Sequence, residues 1–281
     1  NNNNNNFNLI ADACKRKFLR NYDVCTDNMN EMKVLCLRSK NIYQIYDFLY
    51  TMISLEYLNF SKNNLVLISS NIANLSNLKV LNLSFNYLID LPSEINCLVN
   101  LEKLNLSHNK IKSLPNLGNL INIKKLFLDN NNLSVIPKGI NKMTNLKHLY
   151  LNNNEIYTLL DDENNFILEN LSTLKIIGLS CNNFTDLPDN IDTLKNLEFL
   201  DVSYNYLFSL PRSLMNLNEL KFFCESNESL VVETDMLDWL YSHSNYDSDN
   251  SDDSMVQDFI SNLFSTDSSS KENNTNVYEI D

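Results

Sequence analysis

The side chains able to do covalent or metal chemistry are few. Three histidines (His108, His148, His243) and six cysteines (Cys14, Cys25, Cys36, Cys97, Cys181, Cys224) are spread over 281 residues. A zinc site needs three or four such ligands together, commonly from close pairs such as C-x-x-C, and no C-x-x-C occurs. A Cys–His or Ser–His–Asp set needs its base within hydrogen-bond reach of the nucleophile, and no spacing in the chain provides one. Gly118, Gly139 and Gly178 stand too far apart to form a phosphate-cradling loop. The paired carboxylates Asp161 and Asp162 sit in the polar run Asp161-Asp162-Glu163-Asn164-Asn165, which offers no enclosing pocket to raise a pKa. The sequence therefore predicts no catalytic residue, no metal site, no cofactor and no enzymatic activity.

What remains is recognition, and charge narrows its targets. The net charge is −13, but residues 231–281 hold twelve acids against Lys271 alone, while residues 55–230 are nearly balanced at −4. Such a body lacks the dense basic surface that nucleic acid requires, and it has no attraction for anionic lipid. No apolar run reaches membrane-spanning length, and no N-terminal stretch reads as a signal peptide. The scattered cysteines read as thiols of a reducing compartment. The expectation is a monomeric cytoplasmic protein, with the nucleus as second choice, that binds protein rather than nucleic acid.

The elements that must position any binding residues are announced by self-similarity. The stretch Leu78-x-x-Leu81-x-Leu83-x-x-Asn86-x-Leu88 recurs from Leu55, Leu101, Ile123, Leu146, Leu174 and Leu197. Degenerate copies start at Met32, with Lys40 in place of Asn, and at Leu220, with Glu228 in that place. Nine units result. Leu81-Asn82-Leu83 alternates as a strand with one apolar face. The second half, Leu91-Pro92-x-x-Ile95-x-x-Leu98, recurs at Leu187-Pro188 and Leu210-Pro211, and all five prolines (Pro92, Pro115, Pro137, Pro188, Pro211) share one repeat position. Proline lacks an N–H and fixes φ, which suits a turn leaving a strand. One unit cannot bury its leucines, but stacked units can. The recurring Asn63, Asn86, Asn109, Asn131, Asn154, Asn182 and Asn205 read as a structural ladder pairing backbone groups between coils, groups that would cost about 1–3 kcal/mol each if left unpaired.

On these residues the chain resembles the leucine-rich repeat superfamily in its 23-residue intracellular form, L-x-x-L-P-x-x-I-x-x-L-x-x-L, similar to the repeats of Ras-binding scaffolds. The resemblance implies an α/β, right-handed solenoid with a parallel sheet on its concave face and helical caps. It also implies a non-catalytic scaffold or adaptor that binds a protein, with small GTPases, phosphatase subunits or ubiquitin-ligase assemblies as classes of partner. The alternative it implies is the targeting or regulatory segment of a larger kinase, cyclase, phosphatase or deadenylase.

The organisation expected is an Asn-rich segment at 1–6, an N-terminal cap at 7–31, the solenoid at 32–233, a capping helix at 234–242 and an acidic tail at 243–281. Within the tail, Met255, Val256, Phe259, Ile260, Leu263 and Phe264 mark an amphipathic segment at 255–264. Ser248, Ser251 and Ser254, set among aspartates, are candidate phosphorylation sites. On the concave face, the third, fifth and eighth positions of each unit are expected to point outward. They bring together Phe85, Lys103, His108, Lys125, Phe127, His148 and Tyr150, extended by Phe199 and Tyr204, as aromatic and basic anchors for an acidic or extended segment of a partner. In the ninth unit this register assigns Phe222, Cys224 and Asn227 to the same positions.

Overall fold

The computed structural model describes residues 29–243, together with Lys17. Segment 1–6, most of the expected N-terminal cap, the amphipathic segment 255–264 and Ser248, Ser251 and Ser254 lie outside the described residues.

Nine strands of three residues each form one parallel sheet in chain order: β1 (Val34–Cys36), β2 (Tyr57–Asn59), β3 (Val80–Asn82), β4 (Lys103–Asn105), β5 (Lys125–Phe127), β6 (His148–Tyr150), β7 (Ile176–Gly178), β8 (Phe199–Asp201) and β9 (Lys221–Phe223). The middle residues Leu35, Leu58, Leu81, Leu104, Leu126, Leu149, Ile177, Leu200 and Phe222 pair in register and are buried in one continuous core. Because strand side chains alternate faces, their neighbours face away from that core along the whole sheet.

The outer side is closed by single 3-10 turns rather than α-helices. They include Ser70–Asn74, Ser93–Cys97, Ile140–Lys142, Ile191–Thr193 and Arg212–Asn216. The reason lies in the spacing. Three residues per turn put Ile95 and Leu98, three apart, on the same side, and both are buried. Pro92 and Pro211 precede their turns in extended backbone, at φ −66° and −71°.

Each strand exits through one residue in left-handed backbone: Ser39, Lys62, Phe85, His108, Asn130, Asn153, Cys181, Tyr204 and Ser226. In every unit but the first, where Lys40 follows, the next residue is a buried asparagine that stitches neighbouring coils. Asn86 Oδ1 accepts from the Leu65 N–H at 2.9 Å, and its Nδ2 donates to the carbonyls of Phe60 and Leu83 at 2.9 and 3.0 Å. Asn63, Asn109, Asn131, Asn154, Asn182 and Asn205 repeat the pattern.

The ninth unit differs from the sequence reading. Lys221 pairs with Phe199, Phe222 with Leu200 and Phe223 with Asp201. Phe222 is therefore a core residue, and the outward positions belong to Lys221 and Phe223 rather than Phe222 and Cys224. Asn227, not Glu228, occupies the ladder, accepting from Leu207 N and donating to the Val202 carbonyl. The unit is one residue short between Leu220 and the strand, so the count from Leu220 slips by one.

Helix α1 (Thr234–His243) closes the C-terminal end. It buries Met236 and Trp239, with the indole 5.8 Å from the Phe222 ring. The five-residue insertion of the sixth unit folds as a tight loop. Asp161 Oδ1 accepts from the N–H groups of Glu163 and Asn165, and Leu160 bridges Phe166.

Candidate protein-interaction face

The outward positions of the strands form columns because the strands run in register. The first column reads Val34, Tyr57, Val80, Lys103, Lys125, His148, Ile176, Phe199, Lys221; the second reads Cys36, Asn59, Asn82, Asn105, Phe127, Tyr150, Gly178, Asp201, Phe223. Strand spacing of about 4.8 Å sets like residues against one another along each column.

That spacing changes the role of three candidates. Phe127, Tyr150 and Phe199 were expected as outward anchors, but they are buried and form, with Ile176 and the partly buried Phe223, an apolar cluster separate from the main core. Phe127 and Tyr150 stack at 5.0 Å with their planes 5° apart, and Phe199 meets Phe223 at 5.2 Å. Stacked rings cover each other's faces, so these side chains make a floor and project little.

Phe85 and Tyr204 do project, at 45% and 55% exposure. Both sit in left-handed backbone, which costs a bulky residue about 1–2 kcal/mol. Phe85 lies in a stack of its own: Lys62 Nζ is 5.4 Å above the ring, His108 packs on it at 4.0 Å, and Asn130 Nδ2 lies 3.3 Å from His108 Nε2. The face thus has two rails. Lys62, Phe85 and His108 line the trailing side, where the chain leaves the strands. Lys103, Lys125 and His148 line the leading side, and Lys103 Nζ lies 5.7 Å from the Phe127 ring on the floor between them.

The protonation states follow from burial and neighbouring charge. Desolvation and the ammonium groups of Lys125, Lys147 and Lys175 push His148 down to about 4, so its imidazole is neutral near pH 7. Its Nδ1 is buried with no hydrogen-bond partner among the described residues. Burial also lowers His108. Asp129, two residues after Phe127, is pushed up to about 6 by burial, against the opposing pull of Asn152 and Ser107, which donate to it.

Asp129 belongs to a polar relay that the repeat pattern did not reveal. In the units with Asn82, Asn105 or Asp201 on the strand, that side chain accepts the N–H of Ser84, Ser107 or Ser203 two residues on. Phe127, Tyr150 and Gly178 cannot do this. Instead Asp129 accepts the N–H of Asn152 in the next coil, and Asn152 accepts the N–H of Ser180 in the one after. A Cβ on Gly178 would lie 2.5 Å from Asn152 Nδ2, so glycine is what leaves room for the relay. The signal available in the sequence was the coincidence of aromatic and glycine residues at the fifth position of the unit with Asp129 and Asn152 replacing serine.

Among the described residues no group of three His, Cys, Asp or Glu side chains is placed to hold a metal. None of Cys36, Cys97, Cys181 and Cys224 is in a disulfide, and burial raises the Cys224 thiol to about 11. The trough along Lys33, Glu56, Lys79 and Glu102 is an open one, with Glu56 paired to both Lys33 and Lys79. No helix of the described residues is long and apolar enough to cross a membrane.

Comparison with known proteins agrees with the repeat architecture. The profile described as "Leucine Rich Repeat" matches residues 54–75, 122–143 and 196–217, and "Leucine Rich repeats (2 copies)" matches 76–119. No curated protein sequence matches. Among solved structures, a leucine-rich repeat protein of Leptospira interrogans is 30% identical, with a TM-score of 0.61 over 70% of this chain and 55% of that one. The plant peptide hormone receptor RGFR1, in complex with RGF2, is 27% identical, with a TM-score of 0.58 over 65% of this chain and 30% of that one. The chain thus spans about half the length of the bacterial protein and under a third of the receptor. With nine parallel strands, the asparagine ladder and these matches in agreement, the chain belongs to the leucine-rich repeat family.

Proposed function

We propose that this protein is a non-catalytic interaction module that holds an extended segment of a partner polypeptide across its concave sheet, between the Lys62–Phe85–His108 rail and the Lys103–Lys125–His148 rail. The observation that carries the reading is the exposed Phe85–His108 stack facing lysines across an apolar floor. Aromatic and cationic side chains around an apolar centre are what protein interfaces favour. The floor of Phe127, Tyr150 and Phe199 supplies rigidity rather than contact area, so the exposed residues carry the contact. A repeat receptor of similar fold has been solved in complex with a peptide hormone, which supports an extended ligand without naming one. In keeping with the family's general use, a reducing compartment and a signalling adaptor role are part of the same proposal.

The test is quantitative affinity purification from cells with three versions of the chain. Phe85→Ala combined with Lys103→Glu and Lys125→Glu is expected to lose at least tenfold of the recovered partner, about 1.4 kcal/mol or more. Lys138→Glu with Lys142→Glu, on the outer side, is expected to retain it. Equal recovery by all three would refute the concave assignment.

A further inference from the structure

The leading edge of the sheet is a second column of charge. Lys33, Glu56, Lys79, Glu102, Lys124, Lys147, Lys175 and Glu198 are aligned by successive backbone hydrogen bonds, each N–H donating to the carbonyl of the residue before it in the column. Over most of its length the column neutralises itself. Glu56 pairs with Lys33 and Lys79, Glu102 with Lys124, and Glu198 with Lys175. Lys147 breaks the pattern. Its neighbours in the column, Lys124 and Lys175, are both lysines, and it makes no ion pair among the described residues. Lys125 and His148, the next residues inward, add no negative charge.

This is the centre of a larger asymmetry. Residues 103–154 contain eight lysines and one acid, Asp129, whereas residues 155–243 contain four basic and sixteen acidic residues, and residues 244–281 one lysine and nine acids. A chain that is −13 overall carries a band of +7 across its middle coils.

The described chain ends beside that edge. His243 Nε2 lies 3.2 Å from the carbonyl of Asn218, which leads into β9. From the ninth coil, Lys147 is three coils away and Lys124 four, roughly 14 and 19 Å at about 4.8 Å per strand. The acidic run Asp247, Asp249, Asp252, Asp253 begins four residues after His243 and ends ten after it. Extended chain reaches about 3.3–3.6 Å per residue, so the run spans roughly 13 to 36 Å from the helix end. The aspartates therefore come within reach of the unpaired lysine and its two neighbours, on the edge from which the chain departs.

We infer that residues 247–253 dock in cis along the leading edge of the middle coils, with Asp247, Asp249, Asp252 and Asp253 facing Lys147 and the adjacent Lys124, Lys125 and Lys175. This goes beyond partner binding and stands whether or not a partner uses the concave face. The interaction is between exposed charges, so it weakens when the screening length shrinks from about 8 Å at physiological salt to about 3 Å at 1 M.

Zero-length carbodiimide cross-linking of the full chain, read by peptide mass spectrometry without any partner, tests it. The expected result is amide links within one chain from Asp247–Asp253 to Lys147, Lys124, Lys125 or Lys175, reduced at least fivefold in 1 M salt. Lys147→Glu, an exposed position, and the quadruple Asp→Asn change at 247, 249, 252 and 253, outside the solenoid, are each expected to cause a similar loss. Absence of these links, or equal yield to Lys138 and Lys142 on the outer side, overturns the inference. Links found only in covalent dimers also overturn it, assigning the site to a second copy. Partner recovery in the purification experiment is scored separately, so either proposal can fail alone.

Discussion

Asp129 is only partly exposed, and burial pushes its pKa up to about 6 from an ordinary value of 3.8. Between those two values the folded chain keeps a proton that the unfolded chain has lost. Its stabilising contribution is therefore complete below about pH 4 and lost as pH rises through 6. Asp129→Asn keeps an acceptor for Asn152 and a polar partner for Ser107 without the charge. Denaturant unfolding is expected to show the variant more stable than the parent at pH 7 by about 1–3 kcal/mol, at about 1.4 kcal/mol per pKa unit, with the difference vanishing near pH 4. A difference independent of pH would reject the buried-charge account. Little of this was legible in the sequence. The ladder asparagines could be read because they recur at one position, but Asp129, Asn152 and Gly178 each occur once. Their roles depend on which side chain lies across the neighbouring coil. The same limit applies to Phe127 and Tyr150: their types and outward positions were readable, and their mutual burial was not, since it arises from stacking between strands.

At the scale of the element, the short strands and 3-10 turns follow from the spacing of Leu and Ile, and they carry almost no stability alone. Each unit is held by the next, so the ends decide where unfolding begins. Helix α1 covers the last coil through Trp239 and Met236, both buried, with Trp239 against Phe222. Trp239→Ala is expected to cost about 3–5 kcal/mol, the range for large buried aromatic truncations. Because the damage is at one end, hydrogen exchange should quicken first in β9 and β8 while β3 to β5 keep their protection. Uniform loss across all nine strands would contradict a stack of nearest-neighbour contacts. The helix was foreseeable from Leu237, Trp239, Leu240 and Tyr241, but its packing was not. The sequence register put Phe222 outward, and only the pairing of Phe222 with Leu200 places it under the indole. The slip at Leu220 is one residue long, shorter than the tolerance of a pattern match.

For the whole molecule, nine coils in register make one continuous wall, and that much was readable from the repeat alone. What a linear pattern does not convey is how charge is distributed around the wall: a positive band in the middle coils, an acidic C-terminal third, and at the edge Lys147, which has no ion pair among the described residues. The central claim is that partners meet this protein on the concave side of the middle coils. Site-specific photo-crosslinking in cells tests it most directly, with a benzophenone amino acid in place of Phe85 on the concave trailing rail or of Ile121, outside the strands in the segment that leads into β5. The two positions are 45% and 50% exposed, so exposure does not bias the comparison. The account predicts a discrete protein adduct from position 85 and none from position 121. An adduct from 121 alone, or the same adduct from both, would contradict it.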